Sequence, residues 1–533
     1  MGIDMTEQQS ATPDQRSFIF IYGPPGSGKS LLGRLLARSL NLNFIDLDEL
    51  IEKSANATIS EIFTCDGEAR FRKRECENLD RILEGDPSVV ALGGGALLNE
   101  MNREKVESAG EVLCLQARPD TILARLNADS VKRPLLAGGE QQMLLDLLSN
   151  RAEHYNSFSL NMSTDQGSPE SLIWEAQIQL GKFHVTGMEI GYDVIVANGG
   201  LGNLGPEMSD RGLGGPVAVV SDDNVAPFYV QGVIESLSSS GYKTESIIIP
   251  AGENNKTINT ITTMWEKFVS LGLDRGSTVV ALGGGVVGDL GGFAAATYLR
   301  GVSWVCVPTS ILAMVDASLG GKTGADLSFG KNLIGAFHPP GLVYADPTVL
   351  STLPEAEKRS GMAEVLKHGI ISDPILFDMC SCGLDVVDKN LDEIIRRAMA
   401  VKVQVICEDP YERGVRATLN LGHTLGHAVE KTSNYTLRHG EAVAIGMVAA
   451  ARYSEESGLA EDGLTQNIEA ALERIGLPIR MPDSLPHESI IRAMGVDKKR
   501  AAGKVKLVLP VAIGDVRYGI PIDDLTVLVK VAE

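Results

Sequence analysis

Histidine is scarce in this sequence, with eight in 533 residues. Cysteine is scarcer, with seven, odd in number and scattered, so no disulfide framework can be read and a reducing cytoplasm is the expected compartment. Cys380 and Cys382 lie close together, but no second pair completes a zinc knuckle. No apolar run reaches transmembrane length, which excludes a helical span. The N-terminus is polar and lacks a signal peptide's apolar core, and residues 1–16 are expected to form a disordered tail. Positive charge is outnumbered: 48 Lys and Arg stand against 69 Asp and Glu, a formal net charge of −21. That argues against a nucleic-acid binder, which needs a basic patch. It also means that an anionic substrate must be drawn in by local clusters of Lys and Arg.

The length suits about three or four domains at roughly 100–200 residues each. Three of the few histidines, His423, His427 and His439, fall within one short stretch. The first two are four apart and share a helix face. With a carboxylate from elsewhere they would make a catalytic metal site with an open position. It is not a metalloprotease helix, because Thr424 stands where that motif needs Glu.

Near the start, the apolar run Ser17–Tyr22 leads into Gly23-Pro-Pro-Gly26-Ser-Gly28-Lys29-Ser30 and a helical pattern. This is a P-loop in its required strand–loop–helix setting: backbone N–H groups curl around phosphates, Lys29 reaches the β- and γ-phosphates and Ser30 ligates Mg²⁺. Asp46-Leu-Asp48 follows, two carboxylates suited to Mg²⁺ and to a substrate hydroxyl, or alternatively to a helix N-terminus. Phe71-Arg72-Lys-Arg-Glu75, Gly93-Gly94-Gly95, a basic lid around Lys132-Arg133-Pro134, and Arg151 with Tyr155 come next.

In these motifs and their order, residues 17–182 resemble shikimate kinase. The resemblance implies that Asp48, Arg72, Gly94, Gly95 and Arg151 hold shikimate. Arg72 and Arg151 would grip its carboxylate, and Asp48 would act as base. Asp46 would sit near Mg²⁺, and Arg133 would close over the ATP phosphates. Leu92 departs from the Ser or Thr that many members carry.

Ser168–Lys182 reads as a closing helix, with a domain boundary near 183, and the Gly-rich stretch 199–215 reads as loops of the next domain. Strands alternating with helices from Pro216 onward imply a parallel sheet. Gly283-x-Gly285-x-x-Gly288 has dinucleotide-binding spacing, with Asp289 directly after it. Val-Val-Ala-Leu-Gly-Gly-Gly occurs at both 89–95 and 279–285, but the flanks differ, so it reads as two buried parallel strands and not as a duplication. Glu364 and Lys367 share a helix face. Around them run Arg300, Asp316, Gly320-Gly-Lys322-Thr, Lys331-Asn332, Lys402, Glu412, Arg416, Asn420 and Lys498-Lys499, a dense cationic set for an acidic chain.

Residues 183–533 resemble 3-dehydroquinate synthase over their length, through Gly-Gly-Gly-Val-Val-Gly-Asp-Leu, Gly-Gly-Lys-Thr, Lys-Asn-Leu-Ile-Gly-Ala-Phe, Ala-Glu-Val-Leu-Lys and Gly-His-Thr-Leu-Gly-His. The resemblance implies Zn²⁺ or Co²⁺ on Glu364, His423 and His439, with His427 a catalytic base and Glu412 a further proton acceptor. NAD⁺ would contact Asp222, Asn224, Glu253, Lys256, Gly284, Gly285, Asp289, Thr309, Ser310 and Lys331. Substrate would meet Arg300, Asp316, Lys322, Asn332, Lys367, Lys402, Arg416, Asn420 and one of Lys498 or Lys499; Lys322 also counts as catalytic. The fold expected is α/β: a P-loop kinase (17–182) fused to a Rossmann-like NAD domain (183–348) and a mainly helical metal domain (349–533). The expected protein is a cytoplasmic, bifunctional shikimate-pathway enzyme using ATP and Mg²⁺ in one half, and NAD⁺ and metal in the other. Its partners would be small-molecule substrates, neither nucleic acid nor membrane, with a homodimer through the synthase half. The rivals are another sugar-phosphate cyclase or a zinc alcohol dehydrogenase for the C-terminal half, and a non-catalytic nucleotide-binding module for the N-terminal half.

Overall fold

The computed structural model describes residues 18–128, 140–500 and 505–532, without the side chains of 140–141 and 496–500. The expected tail at 1–16 and the lid around Arg133 lie outside the described residues. The chain divides into two compact units between Leu180 and Gly181.

The first unit is a five-stranded, all-parallel sheet in the order β2-β3-β1-β4-β5. The strands are β1 (Phe18–Tyr22), β2 (Asn43–Asp46), β3 (Ser88–Ala91), β4 (Gly110–Gln116) and β5 (Leu160–Ser163). The helices are α1 (Lys29–Ser39), α2 (Leu47–Ala55), α3 (Ile59–Leu83), α4 (Glu100–Ala109), α5 (Pro119–Ala128), α6 (Glu140–Asn156) and α7 (Pro169–Leu180). Both faces of β1 are covered: Phe18, Phe20 and Tyr22 enter one core and Ile19 and Ile21 the other. That is why β1 reads as an unbroken apolar run.

The second unit is built on a seven-stranded sheet, order β6-β7-β14-β11-β10-β8-β9, parallel except at the β6–β7 edge. Its strands are β6 (Lys182–Val185), β7 (Tyr192–Val196), β8 (Val217–Asp222), β9 (Thr244–Ile249), β10 (Thr278–Gly283), β11 (Ser303–Pro308) and β14 (Leu342–Ala345). An antiparallel hairpin, β12 (Lys322–Leu327) and β13 (Gly330–Phe337), lies between β11 and β14 in the chain. Helices α8 (Leu204–Asp210), α9 (Ala226–Ser239), α10 (Ile258–Leu271) and α11 (Gly285–Thr297) belong to this part. The remainder is mainly helical: α12 (Glu355–Ser372), α13 (Pro374–Ser381), α14 (Leu384–Lys389), α15 (Leu391–Glu408), α16 (His423–Thr432), α17 (His439–Glu456), α18 (Leu464–Ile475), α19 (His487–Arg500) and α20 (Thr526–Val531). It also carries an antiparallel pair, β15 (Val505–Ala512) and β16 (Asp515–Ile522).

Two expectations shift. The closing helix ends at Leu180, because Gly181 turns with φ +64° and its carbonyl accepts from Val196 N at 2.8 Å, starting β6 at once. A side chain there would meet the Val196 carbonyl at 2.3 Å. The Gly-rich stretch 199–215 contains a helix, α8, because Leu204 and Met208, four apart, are both buried in the sheet's core.

Candidate active sites

In the first unit the loop after β1 is set by Gly23, Gly26 and Gly28, all with positive φ. A Cβ at Gly23 would lie 2.2 Å from the Leu115 carbonyl. Helix α1 starts with no side-chain cap and no acid in its first turn, so its N–H groups remain available to an anion. Lys29 Nζ donates to the Gly23 and Pro24 carbonyls at 2.9 and 3.0 Å. Ser30 Oγ donates to Asp46 Oδ2 at 2.6 Å, while Asp46 Oδ1 caps α2 through Asp48 N and Glu49 N. Asp46 thus caps α2 with one oxygen and accepts from the Ser30 hydroxyl with the other.

The glycine loop after β3 is where the other half of this site assembles. A Cβ at 93 would stand 2.9 Å from Asp48 Oδ1 and one at 95 would stand 2.7 Å from an Arg72 nitrogen, so a side chain at either position would displace those groups. The Gly94 carbonyl accepts from Arg151 at 3.1 Å, Tyr155 OH at 2.8 Å and Tyr22 OH at 3.3 Å. Arg72 donates to the fully buried Glu75 at 2.9 Å, and burial pushes that carboxyl up despite the guanidinium. Asp48, Arg72, Arg151, Gly94 and Gly95 are thereby gathered around one loop. Sequence reading quoted Glu75 without a role, though its three-residue spacing from Arg72 on a helix was a usable signal. Arg133 lies outside the described residues.

In the second unit the expected nucleotide contacts fall at the carboxyl ends of adjacent strands: Asp222 and Asn224 after β8, Glu253 and Lys256 after β9, Gly284 and Gly285 after β10, Thr309 and Ser310 after β11. That crevice is where open parallel sheets bind ligands. Helix α11 begins at Gly285, again with no side-chain cap and no acid in its first turn, which fits a dinucleotide phosphate. Lys256 is buried and bonds Asp289 Oδ2 and Asn332 Oδ1, both at 2.5 Å. Lys331, on β13, reaches Glu253 at 3.6 Å.

Beside this crevice opens a cavity of about 740 Å³ lined by Asp289, Asp316, Lys322, Asn332, Lys367, Lys402, Glu412, Arg416, Asn420 and His423 among others. Its cations are held by named partners. Lys402 Nζ bonds the Asp316 carboxylate at 2.5 Å; burial pulls the ammonium down, and the carboxyl is held well below its usual range. Lys322 pairs with Glu412, and against partial desolvation that ammonium and Asn420 hold the carboxyl below its usual range. Gly320, with φ +93°, has no Cβ that would collide with the Arg416 guanidinium at 2.2 Å, which accounts for the Gly-Gly-Lys-Thr wording. Arg300 does not join this lining: it stands exposed in the left-handed turn after α11, φ +73°. Lys498 and Lys499 are on α19, their side chains outside the description.

Next to His423 of that lining, Glu364, His423 and His439 each present a ligand atom, all within 4.8 Å of one another. Glu364 is fully buried; its Oε1 is 3.2 Å from His439 Nε2 and 3.7 Å from His423 Nε2. His423 Nδ1 donates to the Leu421 carbonyl at 3.0 Å, which fixes the tautomer with its lone pair on Nε2, the form a metal needs. Burial, with Lys367 nearby, pushes that imidazole down to about 3, keeping it neutral. His439 is sent the other way, to about 10, because Glu364 and Glu430 on its two sides outweigh its burial. Glu430, 3.1 Å from His439 Nδ1, escaped sequence reading; an acid near a helix end carries no signal of its own. His427 is exposed one turn after His423, their ring centres 5.0 Å apart. The donor set of one carboxylate and two imidazoles suits a catalytic zinc-type ion.

Family models match stretches of both units. The shikimate kinase family model matches residues 25–180, and the 3-dehydroquinate synthase N-terminal and C-terminal models match 246–360 and 361–500. A 3-dehydroquinate synthase of Synechocystis sp. is 45% identical over 340 residues, covering 62% of this chain and 94% of the relative. One from Nostoc punctiforme is 46% identical over 333 residues, 61% of this chain and 92% of that one.

The chain belongs to the 3-dehydroquinate synthase family, with a shikimate kinase domain fused ahead of it.

Both halves are therefore enzymes of the shikimate pathway. Among solved structures the synthase half is similar to 2-deoxy-scyllo-inosose synthase complexed with carbaglucose-6-phosphate, NAD⁺ and Co²⁺: 26% identical, TM-score 0.60, covering 66% of this chain and 99% of that one. It is also similar to 2-epi-5-epi-valiolone synthase from Streptomyces hygroscopicus with NAD⁺ and Zn²⁺ bound: 27% identical, TM-score 0.58, 64% and 95% covered. Among the described residues no helix is long and apolar enough to cross a membrane.

Proposed function

We propose that the kinase domain transfers the terminal phosphoryl group of ATP, with Mg²⁺, to the 3-hydroxyl of shikimate. We further propose that the synthase half converts 3-deoxy-D-arabino-heptulosonate 7-phosphate to 3-dehydroquinate and phosphate, using NAD⁺ and Zn²⁺ or Co²⁺. The observation that carries the second assignment is the Glu364–His423–His439 set, which shares His423 with the lining of a cation-rich cavity.

In the kinase, Lys29 and the amides at the start of α1 hold phosphate, Ser30 and Asp46 hold Mg²⁺, and Arg133 belongs over the phosphates. Arg72, steadied by Glu75, and Arg151 hold the acceptor's carboxylate as planar forks. Asp48 accepts the hydroxyl proton.

In the synthase, Glu364, His423 and His439 hold the metal. Asp222, Asn224, Glu253, Lys256, Gly284, Gly285, Asp289, Thr309, Ser310 and Lys331 hold the nucleotide. When bound, the metal acidifies the ring hydroxyl and the nucleotide takes up and returns one hydride, so the conversion is redox-neutral. Asp316 orients Lys402. Lys322, Lys367, Lys402 and Arg416, with Asn332 and Asn420, neutralise and position the substrate's phosphate and carboxylate. One of Lys498 and Lys499 completes the substrate contacts, while Arg300, which is outside the cavity lining, is left out of them. His427, one turn after His423, and Glu412, in the cavity wall, accept and return protons.

Identity supports this synthase over its cyclase relatives, at 45–46% against 26–27%. The test is phosphate release by metal-stripped protein. None is expected from the heptulosonate phosphate until Zn²⁺ and NAD⁺ are both restored. Full release by a rigorously metal-free sample, or faster turnover of glucose 6-phosphate, would overturn the assignment.

A further inference from the structure

Two carboxylates flank the imidazole of His439. Glu364 faces Nε2 on the ligand side. On the other side Glu430 Oε2 lies 3.1 Å from Nδ1. A carboxylate offers acceptors only, so Nδ1 donates to it. The second oxygen of Glu430 faces away from the metal set and lies 3.2 Å from Lys331 Nζ. Lys331 belongs to β13, and its ammonium is also 3.6 Å from Glu253 and 4.3 Å from the centre of the Tyr435 ring. One series of charged contacts therefore runs from the turn after β9, through β13, to the last turn of α16 and on to the metal set.

We propose that Glu430 is a positioning residue that couples the metal and nucleotide sites, so that the two bind with positive cooperativity through Glu430 and Lys331. The inference rests on the functional reading above, which puts nucleotide on Glu253 and Lys331 and metal on His439. Its physical basis is that the bridge joins the sheet layer to the helical layer. It is complete only when β13 and α16 stand as they do here. A ligand that favours this arrangement from either side favours it for the other, and the effect is reciprocal. The two arms differ in weight. Lys331 and Glu253 are 37% and 41% exposed, and such a pair is worth little alone. Glu430 is 12% exposed and its bond to His439 orients a ligand. The local effect should thus fall on metal affinity and the long-range effect on its response to nucleotide.

The experiment measures Zn²⁺ affinity by chelator competition on the metal-free full chain, with and without NAD⁺, at saturation checked by calorimetry for each variant. Wild type should bind Zn²⁺ at least about fivefold tighter with NAD⁺. Glu430→Ala should bind it about 10- to 100-fold more weakly. Glu430→Gln keeps an acceptor for Nδ1 but loses the charge facing Lys331. It should retain most of the affinity, lose the response to NAD⁺, and carry the test if the alanine variant does not fold. Lys331→Met should bind Zn²⁺ normally without nucleotide and show no response to it. The inference falls if Glu430→Ala stays within about twofold of wild type, if wild type ignores NAD⁺, or if Glu430→Gln responds as wild type does. His439→Ala separates the two readings. If that variant keeps its Zn²⁺ affinity, the metal assignment is wrong; if it loses Zn²⁺ while Glu430→Ala does not, the assignment stands and the coupling is absent.

Discussion

The ammonium of Lys29 is turned back onto its own loop, held by the carbonyls of Gly23 and Pro24. Loading with nucleotide then exchanges two neutral acceptors for phosphate oxygens, a stronger charge-assisted pairing. Lys29→Ala should lower shikimate phosphorylation by about 10²–10³-fold, the usual cost of one transition-state donor. Cyclisation should be unchanged, and assays of ADP and phosphate release on one preparation check both. The two outer histidines of the synthase should separate in the same manner. His439→Ala is expected to lose bound zinc, while His427→Ala keeps zinc and loses turnover; metal content and rate measured together decide it. Equal metal loss in both would move His427 into the ligand set. At this scale the sequence announces residues tied to a motif, such as Lys29, Ser30 and His423. It hides Glu430, whose partner His439 lies nine residues on and beyond the end of its helix, in geometry no spacing rule encodes; Glu75 had a usable spacing from Arg72 but no motif to give it a role.

Helix α17 is pressed against two neighbours through glycine. A Cβ at Gly440 would lie 1.9 Å from the Ser360 carbonyl on α12, and one at Gly446 would lie 1.9 Å from the Gly422 carbonyl just before α16. Those are the elements that carry Glu364, His439 and His423. Gly440→Ala must force α12 and α17 apart, an overpacking cost of about 1–3 kcal/mol. Both a lower melting temperature and a loss of bound metal are expected, read by calorimetry and metal analysis; no change in either would mean the helices have slack. The edge of the sheet depends on charge. Asp193 on β7 holds His184 of β6 at 2.7 Å and Arg211 at 2.8 Å, and although burial opposes it, these partners depress its carboxyl below the ordinary range. A depressed carboxyl stabilises the fold above its unfolded pKa, near 4, and that contribution is lost as pH falls through the folded value. Asp193→Asn should cost about 1.5–3 kcal/mol at neutral pH, with the gap to wild type narrowing in acid; urea unfolding at several pH values measures it. Strands β1, β3 and β10 were legible because a strand buried on both faces reads as a plain apolar run. Helix α8 was not, because it sits among glycines that signal loop, and the first residue of β6, Lys182, was read as the end of the helix before it.

Each unit has its own sheet and core, and each complete set of expected site residues belongs to one unit. Cutting between Leu180 and Gly181 should therefore give a separate kinase and a separate synthase, each with roughly its original rate. Measuring both activities in the pieces, and each one's response to saturating ligand at the other site, tests it; a large loss on cutting would reveal dependence between them. Helix α7 ends at Leu180 and β6 begins at Lys182, so a single residue separates the two. One message then delivers both catalysts in equal copy number. Raising or lowering expression moves two fluxes together, and a cell can rebalance them only through turnover at each site, never through abundance.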